Sequence, residues 1–214
     1  ETSDDILTKG YDGTMDANQM LDYAESGIFE ISQARQKGQY SHIRDVLVEN
    51  LAIIDRAEQM DGGLTGITTG FSKLDEMTSG MQKSDLIILA ARPAMGKTAF
   101  ALSLARNAAV KGKASVMIFS LEMAKEQLTQ RLLSMESKVD LQTLKTGRLE
   151  RRDWDDLNVA LDILSNSNIH IDDTAGISIM EMKSKCRRLK AEAGLDLVII
   201  DYLQLMNPEG KADS

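Results

Sequence analysis

The sequence predicts an α/β fold with a mainly parallel sheet, preceded by helical segments, and three observations lead there. Short apolar runs alternate with stretches of helical periodicity over the later two thirds of the chain, as strands joined by crossover helices do. One of those runs leads through a Gly-Lys-Thr loop straight into a helix. Finally, 43% hydrophobic and 27% charged residues over 214 positions suit one ordinary domain with a smaller attachment, and no apolar run is long enough to span a bilayer.

The helices come first. From Ala17 to Lys37 the apolar residues Met20, Leu21, Ala24, Ile28 and Ile31 recur at helical spacing, with Asp16 as N-cap and Gly38 as stop. A second helix begins near Ser41 and carries Ile43, Val46, Leu47, Leu51 and Ile54 on one face until Asp61-Gly62-Gly63 breaks the pattern. Two helices cannot bury both faces alone, so they either pack on their own domain or dock on a neighbouring subunit. Beyond them, Leu86 to Ala91, Ser115 to Ser120, Ile169 to Ile171 and Leu197 to Ile200 read as strands. Helices are expected over Lys97 to Lys111, Lys125 to Ser137, Asp153 to Leu164 and Ile179 to Ala193. The apolar spacing of the last two falls at Trp154, Leu157, Leu161, Leu164 and at Ile179, Met182, Cys186, Leu189. Such alternation predicts right-handed crossovers.

Composition excludes several classes. With 25 Lys and Arg against 33 Asp and Glu, a net charge of -8 rules out a surface that is wholly a nucleic-acid footprint, while leaving room for a local basic groove. The single cysteine, Cys186, cannot form an intramolecular disulfide, which suits a reducing, cytoplasmic setting. Two widely separated histidines, His42 and His170, and a cysteine on a helix's apolar face do not make a metal-cluster or thiol enzyme. The opening Glu1-Thr2-Ser3-Asp4-Asp5 has neither an initiator Met nor a signal segment, so the sequence is expected to begin inside a longer protein.

The chemistry centres on Ala91-Arg92-Pro93-Ala94-Met95-Gly96-Lys97-Thr98. A strand, a tight loop and an immediate helix aim backbone N–H groups and a helix N-terminus at phosphate oxygens. Arg92, Pro93, Ala94, Met95, Gly96, Lys97, Thr98 and Ala99 are the expected phosphate contacts, with Lys97 on the β and γ phosphates and the Thr98 hydroxyl on Mg²⁺. Gly96 is expected because a side chain there would block the backbone's approach to phosphate. The usual pattern begins with glycine, and here that position is Ala91, so the loop must leave its strand in a conformation that an L-residue adopts, with Pro93 fixing the turn. ATP with Mg²⁺ is the expected ligand pair.

Two carboxylates extend the site. Leu197-Val198-Ile199-Ile200 delivers Asp201 to the carboxyl edge of the sheet, where ligands bind, and Asp201 can hold Mg²⁺ through water opposite Thr98; by itself it could equally cap a turn. Val116 to Ser120 leads to Glu122 at the same edge. Glu122 either polarises the water that attacks the γ-phosphate or begins the next helix, favoured by its dipole. The basic pairs Arg151-Arg152 and Arg187-Arg188, on helices, are read as solvated faces rather than DNA contacts.

With those residues in place, the chain resembles the replicative hexameric DNA helicases of the bacterial DnaB type, bacterial or phage. The blocks Thr69-Gly70-Phe71-Ser72-Lys73-Leu74-Asp75, Ala91 to Ala101, Phe119-Ser120-Leu121-Glu122-Met123 and Ile200-Asp201-Tyr202-Leu203-Gln204-Leu205-Met206 are similar to that family's blocks in the family's order, Ala91 included. The resemblance covers roughly residues 15 to 206. It implies a RecA-like P-loop NTPase core preceded by an α-helical linker, with 1–14 as the end of an amino-terminal helical domain, 15–62 as linker and 63–214 as the first portion of the motor. Leu21-Asp22-Tyr23-Ala24-Glu25 resembles the linker helix that packs on the adjacent subunit. By the same resemblance Glu122, Lys97 and Asp201 are catalytic and Thr98 and Asp201 the metal side. The implied partners are a homohexamer, single-stranded DNA, and primase and a helicase loader through parts mostly outside this chain. The glutamine sensor, DNA-binding loops and arginine finger are expected beyond Ser214. A RecA-like recombinase or clock-type ATPase, and a non-catalytic oligomerisation module, are the competing readings.

Overall fold

The computed structural model describes residues 2–12, 19–27, 42–58, 63–92 and 94–206. Of the positions singled out above, Asp16, Ala17, Ile28, Ile31, Lys37, Gly38, Ser41, Asp61, Gly62 and Pro93 lie outside those residues.

Among the described residues, three parallel strands lie in the order β2-β1-β3: β1 Val116–Ser120, β2 Ile169–Asp172 and β3 Leu197–Asp201. In register, Val116 faces Ile169 on one side and Leu197 on the other, and Ser120 faces Asp201. The central strand, Val-Met-Ile-Phe-Ser, is buried along its whole length, the expected state of a parallel strand covered on both faces. Side-chain alternation divides the core accordingly. Val116 and Ile118 pack with Leu102, Ala105 and Ala108 of α5 (Lys97–Val110) and with Leu128 and Leu132 of α6 (Lys125–Ser137). Met117 and Phe119 pack on the opposite side with Ile177 and with Met182 of α9 (Ile179–Glu192). α7 (Leu141–Thr146) and α8 (Arg151–Ser165) complete the connection from α6 to β2.

Ahead of the sheet lie α1 (Thr2–Asp12), a helical stretch over 19–27 taken as α2, α3 (Ile43–Glu58) and the short α4 (Ser72–Thr78). Tyr23 of α2 donates a hydrogen bond to Asp5 and carries the Lys9 ammonium 4.1 Å above its ring. α2 also meets α9 of its own chain: the Ser184 hydroxyl donates to Glu25 Oε2 at 3.1 Å, and Arg187 lies 3.9 Å from the same oxygen. The apolar face expected on the second helix is present on α3, where Ile43, Leu47, Leu51 and Ile54 are exposed.

Three expectations are corrected. Leu86 to Ala91 forms no regular element and joins no ladder among the described residues; an apolar cleft of about 390 Å³ lies between it and β3. Ladder hydrogen bonds need strands roughly 4.8 Å apart, and Leu86 and Ile88 accordingly remain exposed. On α8 the buried residues are Leu157 and Ala160, while Trp154 and Leu161 are exposed; packing against α6 selects a narrower stripe than the apolar spacing indicated. Two short helices, α4 and α7, were not anticipated. α7 is set by Asp140, whose carboxylate accepts the N–H groups of Gln142 and Thr143, and by left-handed Gly147 at its end.

Candidate functional site

The phosphate loop enters α5 without a side-chain cap. Gly96 is the N-cap, at φ 85° and ψ 20°, and its carbonyl accepts the Phe100 N–H at 2.9 Å. This left-handed geometry explains the glycine, since an L-residue there costs roughly 1–2 kcal/mol. A Cβ at Gly96 would meet nothing within 4 Å, so no protein atom crowds the position, and the space above it is open to a ligand. Ala91 is not among the residues of positive φ, in keeping with its L side chain. The residue held in the left-handed region is instead Ala94, at φ 63°. The Met95 N–H closes the turn on the Arg92 carbonyl at 3.2 Å, and Met95 itself is exposed. Ala99 lies in the first turn of α5, its carbonyl accepting the Ser103 hydroxyl at 2.9 Å.

Lys97, Thr98 and Asp201 are brought together. Asp201, the last residue of β3, is buried, and its two carboxylate oxygens divide between the loop residues. Oδ1 lies 3.0 Å from Lys97 Nζ, and Oδ2 accepts the Thr98 hydroxyl at 2.6 Å. Lys97 also sits over the Tyr202 ring, 4.3 Å from its centroid. A buried carboxylate requires such partners, and the loop's own lysine and threonine supply them. The hydroxyl and carboxylate are hard oxygen donors converging from facing elements, a set that suits Mg²⁺, which takes one or two protein oxygens and keeps most of its water. Among the described residues no group of three or more His, Cys, Asp or Glu could hold a metal ion.

Glu122 is exposed in the segment between β1 and α6. It precedes α6 by three residues and so does not begin that helix, whose first-turn acid is Glu126. The segment is tied to the site by the Leu121 N–H, which donates to the Asp201 carbonyl at 2.8 Å. Glu122 thus leaves the sheet beside Asp201, at the edge to which Ser120 and Asp201 run in register.

Several residues around the site have roles that the sequence motifs do not assign. Asp75 is the centre of the Thr69-to-Asp75 block: its carboxylate accepts the Thr68 hydroxyl (2.6 Å), the Thr69 N–H (2.8 Å) and the Thr69 hydroxyl (2.7 Å). Burial raises its pKa, but these hydrogen bonds outweigh it and hold the carboxyl below its ordinary range. The buried Asn107 of α5 donates to the Thr69 carbonyl at 2.9 Å, so the block straps the chain to the phosphate-loop helix. Phe71 stacks on Phe100 of that helix, with centroids 5.3 Å apart. At the end of β2, Asp172 accepts Lys185 Nζ at 2.7 Å, and Asp173 accepts the Lys125 N–H at 3.1 Å. An Asp-Asp pair closing a third strand at the same edge was the available signal.

The family model described as the DnaB-like helicase C terminal domain matches residues 66–214. The replicative DNA helicase DnaB of Geobacillus stearothermophilus is 46% identical over 211 residues, which cover 99% of this chain and 46% of that protein. The replicative DNA helicase DnaC of Bacillus subtilis (strain 168) is 47% identical over 211 residues, with the same coverage. Among solved structures, one described as an ATPase domain superposes with a TM-score of 0.73 at 38% identity, over 82% of this chain and 62% of that one. A structure of a DnaB-like replicative helicase and its interactions with primase superposes with a TM-score of 0.77 at 34% identity, over 100% of this chain and 48% of that one. The chain therefore spans about half the length of the curated relatives it matches, at 46% of each. Its parallel sheet with helices on both faces and its phosphate loop have the RecA-like form of these neighbours, and the chain belongs to the DnaB-like helicase family.

Proposed function

We propose that this chain is the nucleotide-binding portion of a replicative helicase motor, which hydrolyses ATP with Mg²⁺ to move along single-stranded DNA as a homohexameric ring. The observation that carries it is the meeting of Lys97 and Thr98, at the start of α5, with Asp201 at the end of β3. When nucleotide binds, Lys97 would exchange Asp201 for the β and γ phosphates, and the N–H groups at the start of α5 would take the phosphate oxygens. Thr98 and Asp201 would hold Mg²⁺, which supplies charge neutralisation at the transferred phosphoryl group. Glu122 orients the attacking water and accepts its proton.

The wider assignments form part of the same proposal. Residues 15–62 serve as the linker and 63–214 as the first portion of the motor, in a cytoplasmic protein; no helix among the described residues is long and apolar enough to cross a membrane. The likeness to a helicase described with its primase interactions supports primase as a partner, and a helicase loader is expected alongside it.

Two measurements test this reading. Mg-ATP at 100 times its dissociation constant should stabilise the fold by about 2.7 kcal/mol, and Lys97→Ala should abolish that thermal shift. In the full-length protein, Glu122→Gln should retain nucleotide binding and lose DNA-stimulated turnover by at least about 100-fold. Normal turnover in that variant would remove Glu122 from the mechanism. An absent thermal shift would favour a module that only mediates assembly.

A further inference from the structure

We propose that Asp173 is a positioning residue for Glu122, acting from the loop after β2 through the amino terminus of α6; this rests on the role given to Glu122 above. α6 begins without a capping side chain of its own, because its N-cap is Ala124, and the first N–H groups of a helix need an acceptor from elsewhere. Asp173 provides it. Its Oδ2 accepts the Lys125 N–H at 3.1 Å, and its Oδ1 lies 3.6 Å from Lys125 Nζ. The backbone hydrogen bond from Lys125 outweighs the opposing effect of burial and, with the nearby ammonium, holds the Asp173 carboxyl below its ordinary range.

Only Leu121 to Ala124 separate β1 from α6, and Glu122 stands in that short segment. Its first end is secured by the Leu121 N–H on the Asp201 carbonyl, at 2.8 Å, and by Ser120, whose hydroxyl donates to the Met123 carbonyl at 2.6 Å and accepts the Met123 N–H at 3.3 Å. Asp173 secures the second end. The loop bearing Asp173 is itself braced: Asp172 accepts the Thr174 N–H at 2.8 Å and Lys185 Nζ at 2.7 Å, and Lys185 also pairs with Glu181 at 2.9 Å. A rigid path thus runs from α9 through Asp172 and Asp173 to the carboxylate that must meet the attacking water. Removing Asp173 loosens one end of the Glu122 segment and leaves the Lys97, Thr98 and Asp201 contacts in place.

The test uses the full-length protein bearing this chain. Asp173→Ala should lower kcat for ATP by about 10- to 100-fold, the scale of a misplaced reacting group, with KM changed by less than about twofold. Asp173→Asn, which keeps an acceptor for the Lys125 N–H, should recover most of the loss. In single turnovers on a Glu122→Gln background, Asp173→Ala should cost less than about twofold further, because its effect passes through Glu122. An equal loss on both backgrounds overturns the proposal. Hydrogen exchange supplies a reading independent of turnover: amides 121–125 should exchange about 10-fold faster in Asp173→Ala while those of α5 do not change. Unaltered exchange there refutes the tether even if the ATPase assignment stands, whereas absence of turnover in the unsubstituted protein refutes the ATPase assignment alone.

Discussion

Replacing Gly70 by alanine should be among the most damaging single-methyl changes in this chain, and the geometry gives the size of the loss. Gly70 has φ +74°, and a Cβ built there would lie 2.4 Å from Cγ and Nδ2 of Asn107 and 2.5 Å from its Cβ. The left-handed backbone costs an L-residue roughly 1–2 kcal/mol. The overlap forces Asn107 aside, and its hydrogen bond to the Thr69 carbonyl, 2.9 Å long and buried, is lost; leaving such groups unpaired costs about 1–3 kcal/mol. Gly70→Ala should therefore destabilise the fold by about 2–5 kcal/mol, lowering the melting temperature by roughly 2–4 °C per kcal/mol. Gly147→Ala is the control, because Gly147 has φ +69° but nothing within 4 Å of its virtual Cβ, so only the backbone cost of roughly 1–2 kcal/mol applies. Urea denaturation followed by circular dichroism measures both. Equal losses in the two variants, or a loss below about 1 kcal/mol for Gly70→Ala, would show that the strap does not depend on this close approach.

Acid should weaken the fold through Asp75 and Asp172, both held below the ordinary carboxyl value of 3.8. Burial acts against each, and hydrogen bonds from Thr68 and Thr69 to Asp75, and from Lys185 and Thr174 to Asp172, prevail. Because these folded values are depressed, the stabilisation is complete above the unfolded value and is lost as pH falls through the folded one. The urea midpoint should thus decline below about pH 4, and Asp75→Asn should flatten that decline; an unchanged acid limb would count against the hydrogen-bonded carboxylate. The Cys186 thiol, half-buried on α9, is pushed up from its ordinary value of 9.0 by burial. Iodoacetamide should modify it at least about 10-fold more slowly in native than in urea-unfolded protein, and equal rates would contradict its packing.

What the sequence determined by itself was local. Helical periodicity placed α6 over the residues it occupies, Lys125 to Ser137, and α5, α8 and α9 to within about two residues, because periodicity and end signals lie within each segment. The Gly-Lys-Thr loop was legible for the same reason, since the left-handed turn at Gly96 and the helix that follows belong to one short run of chain. Tertiary structure decided which partners meet and how closely. Leu86 to Ala91 has the composition of a strand, but a ladder requires a neighbour at hydrogen-bonding distance, and a cleft lies there instead. Trp154 and Leu161 share their helix's apolar spacing with Leu157, yet only contact with α6 selects the buried stripe. The same holds at the site: Lys97 and Thr98 meet Asp201 from more than a hundred positions away, and Asp173 caps a helix 48 residues before it in the chain. The strand pattern indicated that Asp201 faces Thr98, because parallel strands bring their carboxyl ends to one edge of the sheet, but the direct Lys97–Asp201 and Lys125–Asp173 contacts depend on how the elements pack.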